Sequence, residues 1–376
     1  MGRLLSKIVL TGGPCAGKTT ALAKIEEDLT EKGYRVFIVS ESATELIKGG
    51  IRPFGDKAIE LLEFQNLILQ YQLGKEKIYE QAIKSLPDTE RCVIIHDRGV
   101  IDNKAYIKSG EFAILLNKNN MYELSLMDNY DMVIHLVTAA DGKEEYYTLS
   151  NNAARTETIE EAIELDRKTV DAWAGHSNLR IIDNSTGFEE KINRVLDEIN
   201  NWLGNPISIR KQKKYTVDIA KSDIEFLNRD GMAKIDIEQI YLKNYENNNY
   251  ERRLRKRTYQ GQSTYYLTIQ KKGPKGEAKI VTDQKITEKE YQKLLSLYDE
   301  ESRINKTRYS FADNNQYFKL DIFNDLDLAV LEVEPTEKNQ TISIPKYINV
   351  INDVTNDHTY YNYNLAMSKR EKVVLK

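Results

Sequence analysis

The sequence predicts an α/β domain built on a parallel sheet, followed by an antiparallel β-barrel domain, and three observations carry that reading. The chain opens with an apolar run at Ile8–Leu10, a glycine-rich stretch, GGPCAGKT over Gly12–Thr19, and a helical pattern, ALAKIEEDL. Over the first 204 residues, short apolar, β-rich runs alternate with helical patterns, as in a βαβ chain. After Pro206 the texture changes to alternating segments rich in Tyr, Thr and charge, which is antiparallel patterning.

In the first half, strands are predicted at Ile8–Thr11, Val36–Ser40, Cys92–His96, Met132–Val137 and Arg180–Asp183. Helices are predicted around Thr20–Lys32, Ala58–Ser85, Thr158–Gly175 and Phe188–Leu203. Gly33 is placed to cap the first helix, and Gly204 with Pro206 ends the last. In the second half the strand candidates include IEQIYL, ERRLRKR, TYYLTIQKK, YFKLDIF and LAVLEVE. The only clear helix there is Glu288–Tyr298, and the polar KGPKGEAK reads as a hairpin turn. The expected domains are 1–205 and 206–368, with 369–376 as a tail.

At 376 residues the chain exceeds what one core usually covers. A net charge of −4 gives no bulk attraction to nucleic acid, and no long basic stripe is present, so nucleic acid is not an expected partner. The two cysteines, Cys15 and Cys92, exclude a disulfide framework and fit a reducing compartment. No apolar run has the length of a membrane span, and the first strand begins too early for a signal peptide. A cytoplasmic location is expected. The opening MGRLLS, with Gly2 and Ser6, also fits a myristoylation pattern that would add a peripheral membrane contact.

The glycine-rich stretch carries the strongest chemistry. Gly12, Gly13 and Gly17 let the backbone curl so that N–H groups converge at a helix N-terminus, where a β-phosphate can sit. Pro14, Cys15 and Ala16 complete the loop, Lys18 can reach the β- and γ-oxygens, and Thr19, followed by Thr20, supplies a hydroxyl for Mg²⁺. VIIHD places Asp97 at the end of the third strand, where it can hold Mg²⁺, and RGVID adds Arg98 and Asp102 beside the same crevice. Glu41, at the end of the second strand, is a candidate base for an attacking hydroxyl. The polar segment 141–157, with Lys143 and Arg155, reads as a lid bringing positive charge to the phosphates, and Arg167 on the next helix is a further candidate. For Glu41, Arg155 and Arg167 the alternative of ordinary solvated charge weighs about equally. The cofactor is ATP or GTP; no NKxD motif for guanine is present.

In the second half, Arg253, Arg255 and Arg257 alternate and so share one face of a strand. Aligned guanidinium groups repel unless anions face them, which suggests a phosphate-binding surface. Lys271, Lys306 and Arg308 are further cations, and Glu332 and Glu334 are carboxylates sharing a face. A salt-bridged outer sheet face is the alternative of similar weight.

The series VLTGGPCAGKTT, Glu41, HDRGVIDNKAY, NNAARTETIEEA and WAGHSNLRIIDNS resembles the P-loop, AAA-type ATPase family related to nucleoside and nicotinamide-riboside kinases. The resemblance implies a kinase-like sheet, Asp97–Gly99 near metal and acceptor, Glu41 as base, and Ile181–Ser185, including Asn184, near the nucleotide base. From IEQIYL through RRLRKR, LTIQKK, KTRYSF, LDIF and LEVE to VTNDHTYYNYNLA, the second half resembles the CYTH or triphosphate-tunnel family. That family implies an eight-stranded barrel whose lining binds triphosphate with metal. Its first strand normally carries Glu-x-Glu-x-Lys, whereas here Arg210 and Gln212 stand at the carboxylate positions and Lys214 at the lysine. Neither replacement is a hard anionic ligand, so a binder is expected before a hydrolase. The order of the two domains also resembles the GTP- and phosphatidic-acid-binding TRPL translocation defect protein family.

Two classes of function remain open. One is an NTPase or small-molecule kinase whose second domain binds a phosphorylated small molecule or polyphosphate. The other is a nucleotide-switched binder of an anionic lipid head group with little turnover; triphosphate hydrolysis in the second domain is a further alternative. His96, Trp173 and Trp202 are read as packing residues.

Overall fold

The computed structural model describes residues 5–147, 158–205, 212–223, 225–243, 250–272, 278–337 and 339–374. Gly2 of the myristoylation pattern and Arg155, as well as Arg210, lie outside the described residues. Two compact units emerge. The first comprises Met1–Arg210, Ala312–Tyr317 and Pro335–Thr341, and the second Lys211–Phe311, Phe318–Glu334 and Ile342–Lys376.

The first unit is a five-stranded parallel sheet in the order β2-β3-β1-β4-β5, with β1 (Leu5–Gly12), β2 (Arg35–Val39), β3 (Cys92–Asp97), β4 (Met132–Leu136) and β5 (Leu179–Ile182). Alternation along β1 supplies both faces. Ile8 and Leu10 pack with Ile25 and Leu29 of α1 (Lys18–Glu31) and Val195 and Ile199 of α7 (Phe188–Trp202). Val9 faces the other way, into a cluster with Leu69, Val133 and Trp173. Both faces are covered, so β4 is buried along its whole length, as parallel strands require. Each fully buried Val, Leu or Ile contributes roughly 1.5–3 kcal/mol.

All five predicted strands and all four predicted helices of this half are present. α3 is Leu61–Lys84, and α6 (Ile159–Ala172) opens on a capping box between Thr158 and Glu161. The sequence reading did not include α2 (Ser42–Lys48), α4 (Glu111–Lys118), α5 (Glu123–Met127) or the 3₁₀ helix Val100–Tyr106. These short elements lack the repeated periodicity that marks long helices.

The second unit is a nine-stranded sheet, β10-β9-β8-β7-β11-β12-β13-β6-β14. Its strands are β6 (Lys213–Val217), β7 (Ala233–Leu242), β8 (Tyr250–Tyr259), β9 (Gln262–Lys272), β10 (Ala278–Ile286), β11 (Glu300–Asp313), β12 (Gln316–Phe323), β13 (Leu328–Val333) and β14 (Val350–Asp353). The antiparallel architecture follows the sequence reading, with nine strands in place of eight. β9 and β10 pair antiparallel on either side of the expected KGPKGEAK turn, whose residues 273–277 lie outside the described set.

Two helices cover opposite faces of this sheet. α8 (Glu288–Leu297) packs Tyr291 against Ile240, Leu254 and Tyr265. α9 (Asn362–Val374) packs Leu365 and Ala366 against Tyr241, Ile304, Phe323 and Val330. α9 corrects the expectation of a single helix in this half, and it runs across the 368/369 boundary into the expected tail. Its mixed YNYNLAMSKREK pattern gives a weak apolar stripe, which is why it is hard to read from sequence. Among the described residues no helix is long and apolar enough to cross a membrane.

Candidate functional site

The sheet order of the first unit places one crevice. The chain leaves β1 toward β2 and β3, then crosses to β4 and β5 on the other side, so the carboxyl ends of β1 and β3 flank a topological switch point. β1 ends at Gly12, and the chain turns through left-handed Cys15 (φ 55°) and Gly17 (φ 92°) into α1. Ala16 and Pro14 are buried beneath the turn, Cys15 is half-buried, and Thr19 and Thr20 are exposed on the first turn of α1. Pro14 O accepts a hydrogen bond from Thr138 Oγ1. Lys18 bends back over the loop, its Nζ donating to Gly12 O at 3.0 Å and Gly13 O at 3.3 Å.

Gly13 has a use that the sequence reading did not give it. Its N–H donates to Asp166 Oδ1 at 2.7 Å, and a Cβ at Gly13 would stand 2.5 Å from that oxygen. Asp166 Oδ1 also accepts from Thr138 N at 3.1 Å, and Oδ2 lies 3.1 Å from His135 Nε2. Thus the Gly13 amide is a brace to α6 and is not among the donors converging on the phosphate position. The signal available in the sequence was an acidic residue on the buried face of α6, in line with Ala162 and Thr169.

Four predicted residues meet at the crevice. Arg98, itself left-handed at φ 70°, donates Nε–H to Glu41 Oε1 at 2.6 Å. Burial works against ionisation of Glu41, but the charges of Arg98 and Lys18, with hydrogen bonds from Thr44 and Arg98, lower its pKa to about 2. Burial likewise opposes the Arg98 charge, and Tyr106, Glu41 and Asp102 outweigh it, raising the guanidinium pKa. Burial and the nearby Arg98 bring Lys18 down to about 8, against the pull of Glu41, Asp97 and Asp102. Burial raises the Asp97 pKa despite Lys18, with Glu41 adding to the rise. Asp97 Oδ1 is buried and has no hydrogen-bond partner among the described residues.

Asp102 lies below this group as a support. It accepts from Thr11 Oγ1 at 2.8 and 2.9 Å, Trp173 Nε1 at 2.6 Å and Gly99 N at 3.3 Å, so it holds the ends of β1 and β3 together. Trp173 is fully buried, as expected, whereas Trp202 is partly exposed at 38%. His96 is buried, with Nδ1 3.4 Å from Glu76 Oε1.

Asn184 does not present its amide to a ligand: Nδ2 donates to Thr138 O and Asp141 O, at 2.8 and 2.7 Å, and Oδ1 accepts from Lys191 Nζ at 2.7 Å. Lys191, lowered to about 8 chiefly by burial, also donates to Val137 O and ties α7 to the end of β4. Arg167 is a surface residue paired with Glu164 at 2.9 Å and Asp171 at 3.6 Å, as expected for solvated helix charge. The residues 148–157 of the expected lid lie outside the described set, while Lys143 precedes a 3₁₀ turn at Glu144–Tyr146.

The crevice suits magnesium. Mg²⁺ is held by one or two carboxylates with substrate phosphates and water, so the orphaned Asp97 Oδ1 and the Thr19 hydroxyl make a fitting donor pair. Among the described residues there is no cluster of three or more His, Cys, Asp or Glu that would hold a metal without such a substrate.

In the second unit, strand register assigns the charged residues to one face. Arg253, Arg255 and Arg257 stand opposite Tyr241, Gln239 and Ile237 on β7, and opposite Thr268, Tyr266 and Thr264 on β9. Lys306 is in register with Ile237 on the same face, and Lys214 with Glu332. α9 packs on this face through Tyr241 and Val330.

The carboxylates of the face are committed. Arg308 spans Asp321 with bonds of 2.6 and 2.7 Å and reaches Glu332 at 3.3 Å, Lys306 meets Asp321 at 2.5 Å, and Lys214 meets Glu332 at 2.9 Å. Glu334 accepts from Lys319 at 3.3 Å. Burial opposes the charge of Asp321, but Arg308 and Lys306 hold its pKa well below the usual range. Arg255 lies 3.7 Å from Asp283 and over the Tyr266 ring at 4.8 Å, and among the described residues the Nε atoms of Arg253 and Arg255 are buried without a hydrogen-bond partner. Gln212 precedes β6, two residues before Lys214; the Lys271 side chain lies outside the described set.

The family described as an AAA domain matches residues 7–191. No curated protein matches the chain. Among solved structures, the chain is similar to the inorganic triphosphatase NE1496, at 23% identity over 43% of this chain and 96% of that chain, with a TM-score of 0.31. It is similar to PH1819 from Pyrococcus horikoshii OT3, at 17% identity over 34% and 78% of the two chains, TM-score 0.26. A conserved hypothetical protein from Pyrococcus furiosus, Pfu-838710-001, has 14% identity over 44% and 89%, TM-score 0.26.

Proposed function

We propose that the first unit binds a nucleoside triphosphate with Mg²⁺ and transfers its γ-phosphoryl group to an acceptor hydroxyl or to water. The observation that carries this reading is Lys18 folded over the glycine loop beside Asp97, whose Oδ1 lacks a partner. Bound at Thr19 and Asp97, Mg²⁺ would offset charge on the phosphate oxygens. Lys18 leaves the Gly12 and Gly13 carbonyls for the β- and γ-oxygens, since a phosphate is the stronger acceptor.

Arg98 supplies the exchange that the reaction needs. In the free site its Nε–H is given to Glu41, which at a pKa of about 2 is a weak base. Arrival of a γ-phosphate offers Arg98 a second anion, and a guanidinium turned to that anion releases Glu41. The acceptor oxygen then bonds to the γ-phosphorus as the bond to the bridging oxygen breaks. Its proton passes to Glu41, and the nucleoside diphosphate departs.

For the second unit we read the arginine face as a binding surface for a phosphorylated small molecule or polyphosphate. Among the described residues the Nε–H groups of Arg253 and Arg255 are donors without a partner, whereas Asp321 and Glu332 are tied to lysine and arginine, and Gln212 brings no charge for a metal. A lipid phosphate has the same donor requirements, as in the trafficking proteins that the domain order resembles. Binding of MgATP and release of ADP, with a nucleoside panel as acceptors, should be lost in Lys18→Ala. Binding of inorganic triphosphate in EDTA, compared with phosphatidic acid vesicles, should weaken in Arg255→Ala. Nucleotide binding unaffected by Lys18→Ala would overturn the first part, and anion binding that requires Mg²⁺ would overturn the second.

A further inference from the structure

We propose that Phe188 is the platform on which the base of the bound nucleotide stacks, and that the site therefore takes ATP and GTP with little preference. This rests on the nucleotide reading of the loop. Phe188 opens α7 and is 54% exposed, yet its ring is held at the loop: a Cβ on Gly17 would stand 2.7 Å from Phe188 Cε2. An aromatic ring fixed beside a phosphate loop with half of its surface uncovered is arranged for a flat apolar ligand.

The sheet order gives the direction of that ligand. Glu41 follows β2 and Asp97 ends β3, on one side of β1, while Phe188 follows β5, beyond β4 on the other side. With the γ-phosphate at the Asp97 and Lys18 end, the nucleoside must leave the loop at the opposite end, where the ring lies.

Among the described residues, the side chains of Asn184 and Asp183 in the β5–α7 connection are committed elsewhere, which argues against base discrimination. The side chain in the β5–α7 connection best suited to read a base edge is Asn184, and both ends of its amide are spent on Thr138, Asp141 and Lys191. Asp183 Oδ1 accepts from Ser185 and from Arg194 at 2.9 Å. A stacking face accepts any base, and specificity of a larger order requires edge hydrogen bonds.

The test is calorimetric titration of the full chain with MgATP, MgGTP and magnesium triphosphate, counting only the binding that Lys18→Ala removes. In the unsubstituted chain, ATP and GTP affinities should agree within about threefold, as stacking alone dictates. Phe188→Ala should weaken both roughly 5- to 100-fold while leaving triphosphate binding within about twofold, and Phe188→Trp should retain nucleotide binding. Unchanged ATP affinity in Phe188→Ala would overturn the proposal. An equal loss of triphosphate binding would also overturn it, since Phe188 would then serve the loop through Gly17. A large preference for one purine would overturn the claim that the edges go unread. No nucleotide binding by the unsubstituted chain would overturn the nucleotide reading itself, a failure distinct from loss of the Phe188 contact alone.

Discussion

Arg98 donates Nε–H to Glu41 Oε1 at 2.6 Å, so the candidate base and the crevice arginine are locked together across the ends of β2 and β3. The lock sets the ionisation of Glu41, which would otherwise titrate near 4.5 and is instead brought to about 2. Replacing Arg98 with Ala should raise the Glu41 pKa toward or beyond 4.5, because burial is then less opposed. The acid limb of the kcat/KM profile, which reports the free enzyme, should move upward with it. A profile unaltered in Arg98→Ala would show that Glu41 is not the titrating base.

The same pair contributes to stability with a defined pH window. A carboxylate whose pKa is lowered on folding stabilises the native state above its unfolded pKa, and this contribution is lost as pH falls from about 4.5 toward 2. Urea titrations of wild type and Glu41→Gln should therefore converge as pH is lowered through that window. Parallel curves would contradict the assigned shift.

Lys18 has the opposite sense. Its folded pKa of about 8, below the usual 10.5, means that the ammonium is lost as pH rises through 8 while the unfolded chain remains protonated. Nucleotide affinity should fall above pH 8, approaching about tenfold per pH unit before levelling, whereas folding stability should rise between 8 and 10.5 as the cost of the buried charge disappears. Calorimetry and urea melts at pH 7, 8.5 and 9.5 read the two trends separately.

Asp166 should be costly to truncate. Asp166→Ala leaves the buried N–H groups of Gly13 and Thr138 without their acceptor, a loss of about 1–3 kcal/mol for each unsatisfied group. Asp166→Asn retains an acceptor oxygen and should cost less, while relaxing the position of the loop. Chemical denaturation distinguishes these variants, and equal stability of all three would remove the bracing role.

In the second unit, Asp321→Ala would remove the buried carboxylate that Lys306 and Arg308 share. Breaking a buried pair from one side costs roughly 3–5 kcal/mol, so this variant should unfold at markedly lower urea than wild type. Adding inorganic triphosphate should restore part of the loss by supplying a replacement anion. A neutral substitution would mean that water reaches the pair.

Much of the first unit was legible because parallel strands buried on both faces read as continuous apolar runs, such as VIIHD ending in Asp97. Position at a strand end was also enough to bring Glu41, Asp97 and Arg98 to one crevice. The period of two placed Arg253, Arg255 and Arg257 on one face. Occupancy of polar groups was not legible. Asn184 and Gly13 satisfy donors and acceptors contributed by residues distant in sequence, Thr138 and Asp166, and no local pattern records such pairings. Phe188 escaped for a related reason: a helix-starting aromatic looks the same in sequence whether its ring is packed or left open beside Gly17.

The most direct test of the central claim is titration of the full chain with MgATP, wild type against Lys18→Ala, with both proteins shown by their urea melts to be folded. The account predicts saturable one-site binding by wild type and a loss of roughly tenfold or more in the variant, as removal of a charge-assisted phosphate contact requires. Equal binding by the two proteins, or none by wild type, would contradict a nucleotide site at the glycine loop.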